Sequence, residues 1–272
     1  MPALNEEGGI RQVIERLYAL SPRPEVIVID DGSSDQTASV AKDAGAVVLR
    51  HPAPGGYGRS LKDGIRHATN DIVAITDADG TYPVERLPEL VQLIDSGFDM
   101  AVGARRGKYY RGSFLKMPAR ILLQWLVEFT TGRRIPDINS GLRVFRKSDA
   151  EQYFGDLCNG FSFTTTITLI YMLTGKFVQY TPIDYAARIG KSKVRIIRDS
   201  LRTLQYVVEV IARFNPLKLF ILLSFLLGFF AVASLVSTFV MRDPSLPLLL
   251  FTIFLASSFL MFGLGIFTVH RR

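Results

Sequence analysis

The chain has 272 residues, of which 48% are hydrophobic, with a formal charge of +7 and a pI near 9.6. That length allows one large domain or two smaller ones, and its single cysteine, Cys158, excludes an internal disulfide or a multi-cysteine metal site and accords with a reducing compartment. The positive charge does not imply nucleic acid, because the cations cluster beside apolar C-terminal segments with no nucleic-acid motif among them, so an anionic lipid surface or headgroup is the better partner.

The first part of the chain alternates helical and extended patterns. The spacing predicts a helix over Glu6 to Leu20, a strand over Glu25 to Ile29, a helix over Gln36 to Ala44 and a strand over Ala46 to Arg50. It then predicts a helix over Tyr57 to Ala68, a strand over Asp71 to Thr76, a helix over Val84 to Ser96 and a strand over Asp99 to Ala104. Such alternation implies an α/β fold with a mainly parallel sheet covered on both faces. The pattern shows no strand ahead of the first helix, so either an N-terminal strand is missing from this sequence or another element fills that place.

From Ser113 to Thr131, Leu115, Leu122, Trp125, Leu126 and Phe129 recur at helical spacing around Lys116, Arg120 and Glu128. The pattern suits a helix lying in a membrane interface, with Trp125 at headgroup level, and equally an amphipathic helix packed on the sheet. Ser192 to Phe214 repeats it, with Val194, Ile197, Leu201, Leu204, Val208 and Ile211 set against arginines.

Leu217 to Met241 carries Lys218 and no later charge, and Leu248 to Val269 carries none. Each exceeds the roughly 20 apolar residues that a bilayer-spanning helix needs. The polar turn Arg242-Asp243-Pro244-Ser245-Leu246-Pro247 between them makes the C-terminus a transmembrane hairpin. Arg195, Arg198, Arg202, Arg213 and Lys218 precede the first span, and His270-Arg271-Arg272 follow the second. The positive-inside rule therefore places the catalytic domain and both termini on the cytoplasmic side. With no signal peptide ahead of the domain, the spans themselves would direct insertion. The expected organisation is a catalytic domain over 1–190, a juxtamembrane interfacial helix over 191–215 and a hairpin over 216–272 with spans at about 217–241 and 248–269.

Two acidic pairs carry the chemistry. Asp77-Ala78-Asp79 ends the apolar run Ile72 to Thr76, and Asp30-Asp31 ends Val26 to Ile29 and leads into Gly32-Ser33-Ser34-Asp35. Two strands would thus deliver carboxylates to one sheet edge, a geometry for holding a divalent metal against a diphosphate. Aspartates also cap helices and form turns, and Asp35 ahead of Thr37 is placed to do so. Gly55-Gly56-Tyr57-Gly58 lacks the Lys-Ser/Thr of a P-loop and the spacing of a dinucleotide fingerprint.

Taken in order, Pro2-Ala3-Leu4-Asn5-Glu6, Asp30-Asp31-Gly32-Ser33, Gly55-Gly56-Tyr57-Gly58 and Asp77-Ala78-Asp79-Gly80 resemble the nucleotide-diphospho-sugar transferases of glycosyltransferase family 2, which have the GT-A fold. Further along, Asp137-Ile138-Asn139-Ser140-Gly141-Leu142-Arg143, Phe161-Ser162-Phe163-Thr164-Thr165 and Arg188-Ile189-Gly190-Lys191-Ser192-Lys193 are similar to the polyprenyl-phosphate branch of that family. This branch includes dolichol-phosphate mannose synthase and the undecaprenyl-phosphate glucosyltransferases.

The resemblance implies a nucleotide pocket formed by Pro2, Leu4, Glu6, Asp30, Asp31, Asp77 and Ala78, with Asp31 on the base and Asp30 closer to a structural partner. It implies Mg²⁺ or Mn²⁺ on Asp77 and Asp79, although Thr81 stands where some members have glutamine. It implies an acceptor phosphate bound by Arg105, Arg120 and Arg143, the first two at the gripping positions, and a basic loop carrying Arg188, Ser192 and Lys193 over the donor diphosphate. Asp137, Asp79 and Arg188 are then the candidate catalytic residues. A phosphate monoester is already largely ionised at neutral pH, so Asp137 is expected to orient the acceptor or sugar more than to take a proton.

The implied reaction is inverting transfer of one hexose from UDP-glucose, or next GDP-mannose, to undecaprenyl or dolichyl phosphate. Rival readings are an inactive nucleotide-sugar or lipid-phosphate scaffold, and a processive polysaccharide synthase. The latter is disfavoured because Gln-x-x-Arg-Trp is absent and Gln124 is followed directly by Trp125. The family resemblance also implies a homo-oligomer, without support from a Gly-x-x-x-Gly face in either span. Arg106, Lys108 and Arg111 read as a solvated or lipid-facing basic patch. His51 and His67 show no metal spacing or paired acid and read as surface or capping residues.

Overall fold

The first strand is two residues long. In the computed structural model, which describes residues 1–107, 117–187, 196–241 and 243–270, Pro2–Ala3 forms β1 and pairs in parallel with β2 (Ile27–Asp30). The Ile29 amide donates to the Met1 carbonyl at 2.9 Å and the Asp31 amide to that of Ala3 at 2.8 Å, so this short segment fills the place of the first strand.

Two compact units emerge, Met1–Val207 and Val208–Arg272. In the first, β2 lies between β1 and β3 (Val47–Arg50), parallel to both. A second sheet runs β4 (Ile72–Ile75), β6 (Arg143–Arg146), β5 (Met100–Arg106) and β7 (Val178–Asp184). β5 and β7 are parallel from Met100↔Val178 to Arg106↔Asp184, and both antiparallel pairings involve β6. Over the two sheets of the described residues three of the five pairings are parallel, so the arrangement is mainly parallel, as the alternating pattern predicts, with β6 the one reversed strand.

Helices α1 (Ile10–Tyr18), α2 (Thr37–Asp43), α3 (Tyr57–His67) and α4 (Leu87–Asp95) connect these strands. α1 turns Ile10, Val13, Ile14 and Leu17 inward at i, i+3, i+4, i+7 spacing, onto a core that includes Val28, Leu90, Ile94, Ala101, Val144 and Ile183. Each such side chain contributes about 1.5–3 kcal/mol of burial free energy relative to exposure. Asp35 accepts from the Thr37 amide at 3.0 Å and its hydroxyl at 2.5 Å, holding the start of α2.

Beyond β5 come α5 (Met117–Thr131), β6, α6 (Lys147–Glu151), α7 (Phe163–Leu173), β7 and α8 (Ile196–Phe214). α7 is buried along ten consecutive residues, Phe163 to Met172, including four threonines. α5 buries Leu126 and Val127 and exposes Ile121 and Trp125, the latter stacked on Phe129 at 5.6 Å.

In the second unit, α9 (Pro216–Ser237) and α10 (Ser245–His270) are antiparallel helices long and apolar enough to cross a membrane. Only 6% of the most apolar window of each is covered by protein. The hydroxyls of Ser224 and Ser258 donate to each other's carbonyls at 2.9 Å, and Gly265 leaves room for Phe220, whose Cβ would lie 2.8 Å from an added methyl.

Candidate active site

Asp30 and Asp31 lie at the carboxyl end of β2, which is parallel to both its neighbours, and Asp77 and Asp79 lie just past the carboxyl end of β4, the strand end at which open α/β sheets form their ligand crevices. Asp30 is the last residue of β2 and fully buried. It accepts from the Ser33 amide at 2.9 Å and pairs with Arg50 at 3.1 Å. The loops after β1 and β2 are stitched together: Asn5 donates to Ser33 Oγ at 2.9 Å, Glu6 to Thr37 Oγ1 at 2.8 Å, and Ser34 to Asn5 Oδ1 at 2.8 Å. Asn5 holds a positive φ of 49°, a conformation its short amide side chain tolerates. Pro2 is buried while Leu4 and Glu6 remain partly open at this edge.

Asp31, 5% exposed, accepts from the Gly55 amide at 2.8 Å through Oδ1 and from the Gly56 amide at 2.9 Å through Oδ2. Its Oδ1 also lies 2.7 Å from His51 Nδ1, and the other ring nitrogen is 3.2 Å from Asp63 Oδ2. His51 therefore has paired acids on both sides, contrary to the expectation from sequence. One acid comes from the end of β2 and the other from α3, which local spacing does not reveal. Through Asp31, the loop that opens α3 is tied to the end of β2.

The same loop reaches the second acidic pair. Tyr57, first residue of α3, donates its hydroxyl to Asp77 Oδ1 at 2.9 Å, and burial together with the Asp77 charge raises the phenol's pKa well above its ordinary value. Asp79, 2% exposed, accepts from the Thr81 amide at 3.1 Å and hydroxyl at 2.6 Å. A methyl added at Gly141 would lie 3.0 Å from both Asp77 carboxylate oxygens, so the Asn-Ser-Gly-Leu-Arg run passes directly against Asp77. The Gly141 amide donates to the Tyr82 hydroxyl at 2.6 Å, and Ser140 to the Gly103 carbonyl at 2.5 Å.

Asp137 and Arg105, assigned separate roles from sequence, form one bidentate ion pair. Arg105 Nε lies 2.7 Å from Oδ2 and Nη2 2.9 Å from Oδ1, and the amides of Arg105 and Asn139 donate to the same carboxylate at 3.1 and 3.2 Å. Burial pulls the Arg105 pKa down, but the hydrogen bond and charge of Asp137 outweigh it and raise the pKa above the ordinary value. Arg143 corrects an expectation. Its guanidinium is fully buried and donates to the carbonyls of Ser140 at 2.7 Å and Ile138 at 2.6 Å, and to Thr168 Oγ1. Burial lowers its pKa. It braces the 138–143 segment from within and does not face the crevice as an acceptor ligand.

Asp77 and Asp79 suit a hard divalent cation, since both offer carboxylate oxygens at one strand end. Among the described residues no group of three or more His, Cys, Asp or Glu side chains is placed to hold a metal ion. Two carboxylates alone would hold such a cation only with a diphosphate and water completing its shell, an arrangement Mg²⁺ commonly adopts. Ala78 is buried between them, its carbonyl 3.1 Å from where a Gly9 Cβ would stand.

Arg188, Ser192, Lys193, Lys108 and Arg111 lie outside the described residues, as does the side chain of Arg120. Arg106 is exposed and pairs with Asp184 at 2.7 Å. Tyr57, His51 and Tyr82 received no site role from sequence. Tyr57 was visible only as the non-glycine residue in Gly55-Gly56-Tyr57-Gly58, and nothing local marks the other two.

A family model described as glycosyl transferase family 2 matches residues 1–154, more than half of the chain. The chain belongs to glycosyl transferase family 2. The family read from the motifs is thus the one found. Among family relatives, the low-salt glycan biosynthesis hexosyltransferase Agl6 of Haloferax volcanii is 32% identical over 216 residues, covering 76% of this chain and 52% of Agl6, so the chain spans about half the length of that relative. The dolichyl-phosphate hexose transferase of the same organism is 28% identical, covering 71% of this chain and 84% of its own. An undecaprenyl-phosphate 4-deoxy-4-formamido-L-arabinose transferase of Edwardsiella ictaluri is 28% identical, covering 80% and 68%. Of solved structures, glucosyl-3-phosphoglycerate synthase from Mycobacterium tuberculosis, in complex with Mn²⁺, UDP-glucose and phosphoglyceric acid, aligns with a TM-score of 0.62 at 21% identity over 77% of each chain. The same enzyme with Mg²⁺ and UDP gives 0.62 at 22% identity over 77% of this chain and 76% of that one. These neighbours share the GT-A-like α/β fold.

Proposed function

We propose that this protein transfers a single hexose, with inversion, from a nucleoside diphosphate sugar to a polyprenyl phosphate at the cytoplasmic face of a membrane in which α9 and α10 are embedded. The observation that carries the reading is the convergence on Asp77: Tyr57 of the α3 loop and Gly141 of the Asn-Ser-Gly-Leu-Arg run both meet its carboxylate. The acidic strand end, the loop tied to Asp31 and the segment leading from Asp137 thus line one crevice. Relatives named for dolichyl and undecaprenyl phosphate support the lipid acceptor.

In this reading the edge formed by Pro2, Leu4, Glu6 and Asp31 takes the nucleoside. Asp77 and Asp79 hold Mg²⁺ or Mn²⁺, which would offset the charge on the departing nucleoside diphosphate. An oxygen of the lipid phosphate attacks the anomeric carbon from the face opposite the leaving group. The new C–O bond forms as the bond to the diphosphate breaks, and the electron pair leaves on the nucleoside diphosphate. Asp137 fixes the plane of Arg105, whose positive charge lowers the repulsion between two anions brought together. Arg120 and the Arg188, Ser192, Lys193 loop complete the acceptor and donor contacts, and the exposed Ile121 and Trp125 of α5, with Trp125 stacked on Phe129, rest against lipid. The organisation is a catalytic domain over 1–190, an interfacial helix over 191–215 and a hairpin over 216–272.

The test is labelled transfer in detergent with Mn²⁺, offering UDP-glucose first and GDP-mannose second, with undecaprenyl or dolichyl phosphate as acceptor. A labelled lipid with release of the nucleoside diphosphate is expected from one donor. A Mn²⁺-dependent rise in melting temperature with UDP or GDP, but no labelled lipid from any nucleotide sugar, would hand the chain to the binding-scaffold reading.

A further inference from the structure

Tyr57 stands out because the 157–161 segment holds both the backbone on either side of it and its ring. Gly56 has φ 107°, and a methyl there would stand 2.5 Å from the Asn159 carbonyl oxygen; one on Gly58 would overlap the Cys158 carbonyl. The start of α3 is therefore docked on the 157–161 segment backbone to backbone. Arg59 donates its amide to the Asn159 carbonyl at 3.1 Å, and Lys62 donates to the Leu157 carbonyl at 2.5 Å and to Asn159 Oδ1 at 2.8 Å. From that same segment Phe161 stacks on the Tyr57 ring, centroids 5.7 Å apart and planes within 10°, while remaining 47% exposed. The ring so fixed brings its hydroxyl 2.9 Å from Asp77 Oδ1.

We infer that Tyr57 is a positioning residue for the metal-holding carboxylate, with Phe161 setting the plane of its ring. The inference rests on the reading of Asp77 and Asp79 as metal ligands. A carboxylate on a strand end swings about two side-chain torsions, and a metal gains affinity when one oxygen is held by a neighbour so that the group presents in one orientation. Such outer partners typically change metal affinity 10–100-fold when removed. The Tyr57 hydroxyl can supply that restraint at Oδ1, and the Gly141 backbone packs against both oxygens, each 3.0 Å from where an added methyl would stand. The device joins the 157–161 segment to the crevice through side chains that carry no charge.

The experiment measures Mn²⁺ affinity of the full chain in detergent by electron paramagnetic resonance, with UDP present, for wild type, Tyr57→Phe, Phe161→Leu and Asp77→Asn. Tyr57→Phe keeps the stacked ring and loses only the hydroxyl. It is expected to weaken Mn²⁺ binding about tenfold with its melting temperature retained, and raising Mn²⁺ should restore its transfer rate. Phe161→Leu should weaken binding less, and Asp77→Asn should abolish it without rescue. Wild-type affinity in Tyr57→Phe alongside loss in Asp77→Asn would overturn the inference and leave the metal site standing. Wild-type affinity in Asp77→Asn would overturn the metal site itself and the inference with it. Loss of Tyr57→Phe activity that excess Mn²⁺ does not restore, at unchanged Mn²⁺ affinity, would likewise count against a positioning role.

Discussion

Asp137 accepts four hydrogen bonds, two from the Arg105 guanidinium and one each from the amides of Arg105 and Asn139. A carboxylate so occupied is held in one orientation and serves as an anchor. Its side chain is 2% exposed and that of Arg105 17%, so removing the charge leaves a guanidinium without its counter-ion in a largely dry place. Loss of one partner of a buried pair commonly costs about 3–5 kcal/mol. Asp137→Asn is therefore expected to lower the melting temperature by several degrees and to depress transfer. A variant inactive yet as stable as wild type would instead favour a base acting directly on substrate. Gly141 gives a second test. Ala at this position places a methyl 3.0 Å from both Asp77 oxygens, and the carboxylate must move. Because small displacements near reacting groups are costly, transfer should fall about tenfold or more with little change in stability. Unchanged transfer in Gly141→Ala would show that the Asn-Ser-Gly-Leu-Arg run does not act through Asp77.

The α3 loop is the element on which both acidic pairs depend, because Asp31 holds its amides and Tyr57 carries it to Asp77. In Asp31→Asn, an amide group must turn its own N–H toward one of the Gly55, Gly56 or His51 donors, and a buried donor left unmatched costs about 1–3 kcal/mol. The KM for the donor should rise about tenfold or more, because Asp31 holds the α3 loop at the edge that takes the nucleoside. An unchanged donor KM would remove Asp31 from the donor site. Much of this element was legible beforehand. Every helix and strand expected up to Ala104 is present with ends shifted by a few residues, because amphipathic alternation sets them locally. The stretch after α5 was not. Phe163 to Met172 is a fully buried run rich in Thr and Ile, whose pattern does not separate a buried helix from a strand, and β6 is a reversed four-residue strand that βα alternation does not announce. For the same reason Arg143 read as a ligand. Its sequence shows a cation beside a motif, and only packing shows that cation facing inward. The contacts Tyr57–Asp77, Arg105–Asp137 and His51–Asp31 span 20 or 32 residues, a range over which spacing carries no contact information.

At the scale of the whole molecule, only 6% of the most apolar window of each apolar helix is buried, an exposure that water would penalise and a bilayer would not. The cations that flank them favour a cytoplasmic catalytic unit. Protease added to cytoplasm-out vesicles should degrade Met1–Val207 and spare the hairpin, whereas degradation only in vesicles of the opposite orientation would reverse the topology. The reading of the chain as a lipid-directed transferase of family 2 depends on the acidic strand end doing chemistry on a donor diphosphate. We would first measure formation of labelled polyprenyl-phosphate hexose by wild type and Asp79→Asn, at matched folding judged by melting temperature and with saturating Mn²⁺. The expected result is labelled lipid from wild type and a loss of at least about a hundredfold in the variant. Equal product from both would contradict a catalytic role for the Asp77–Asp79 carboxylates.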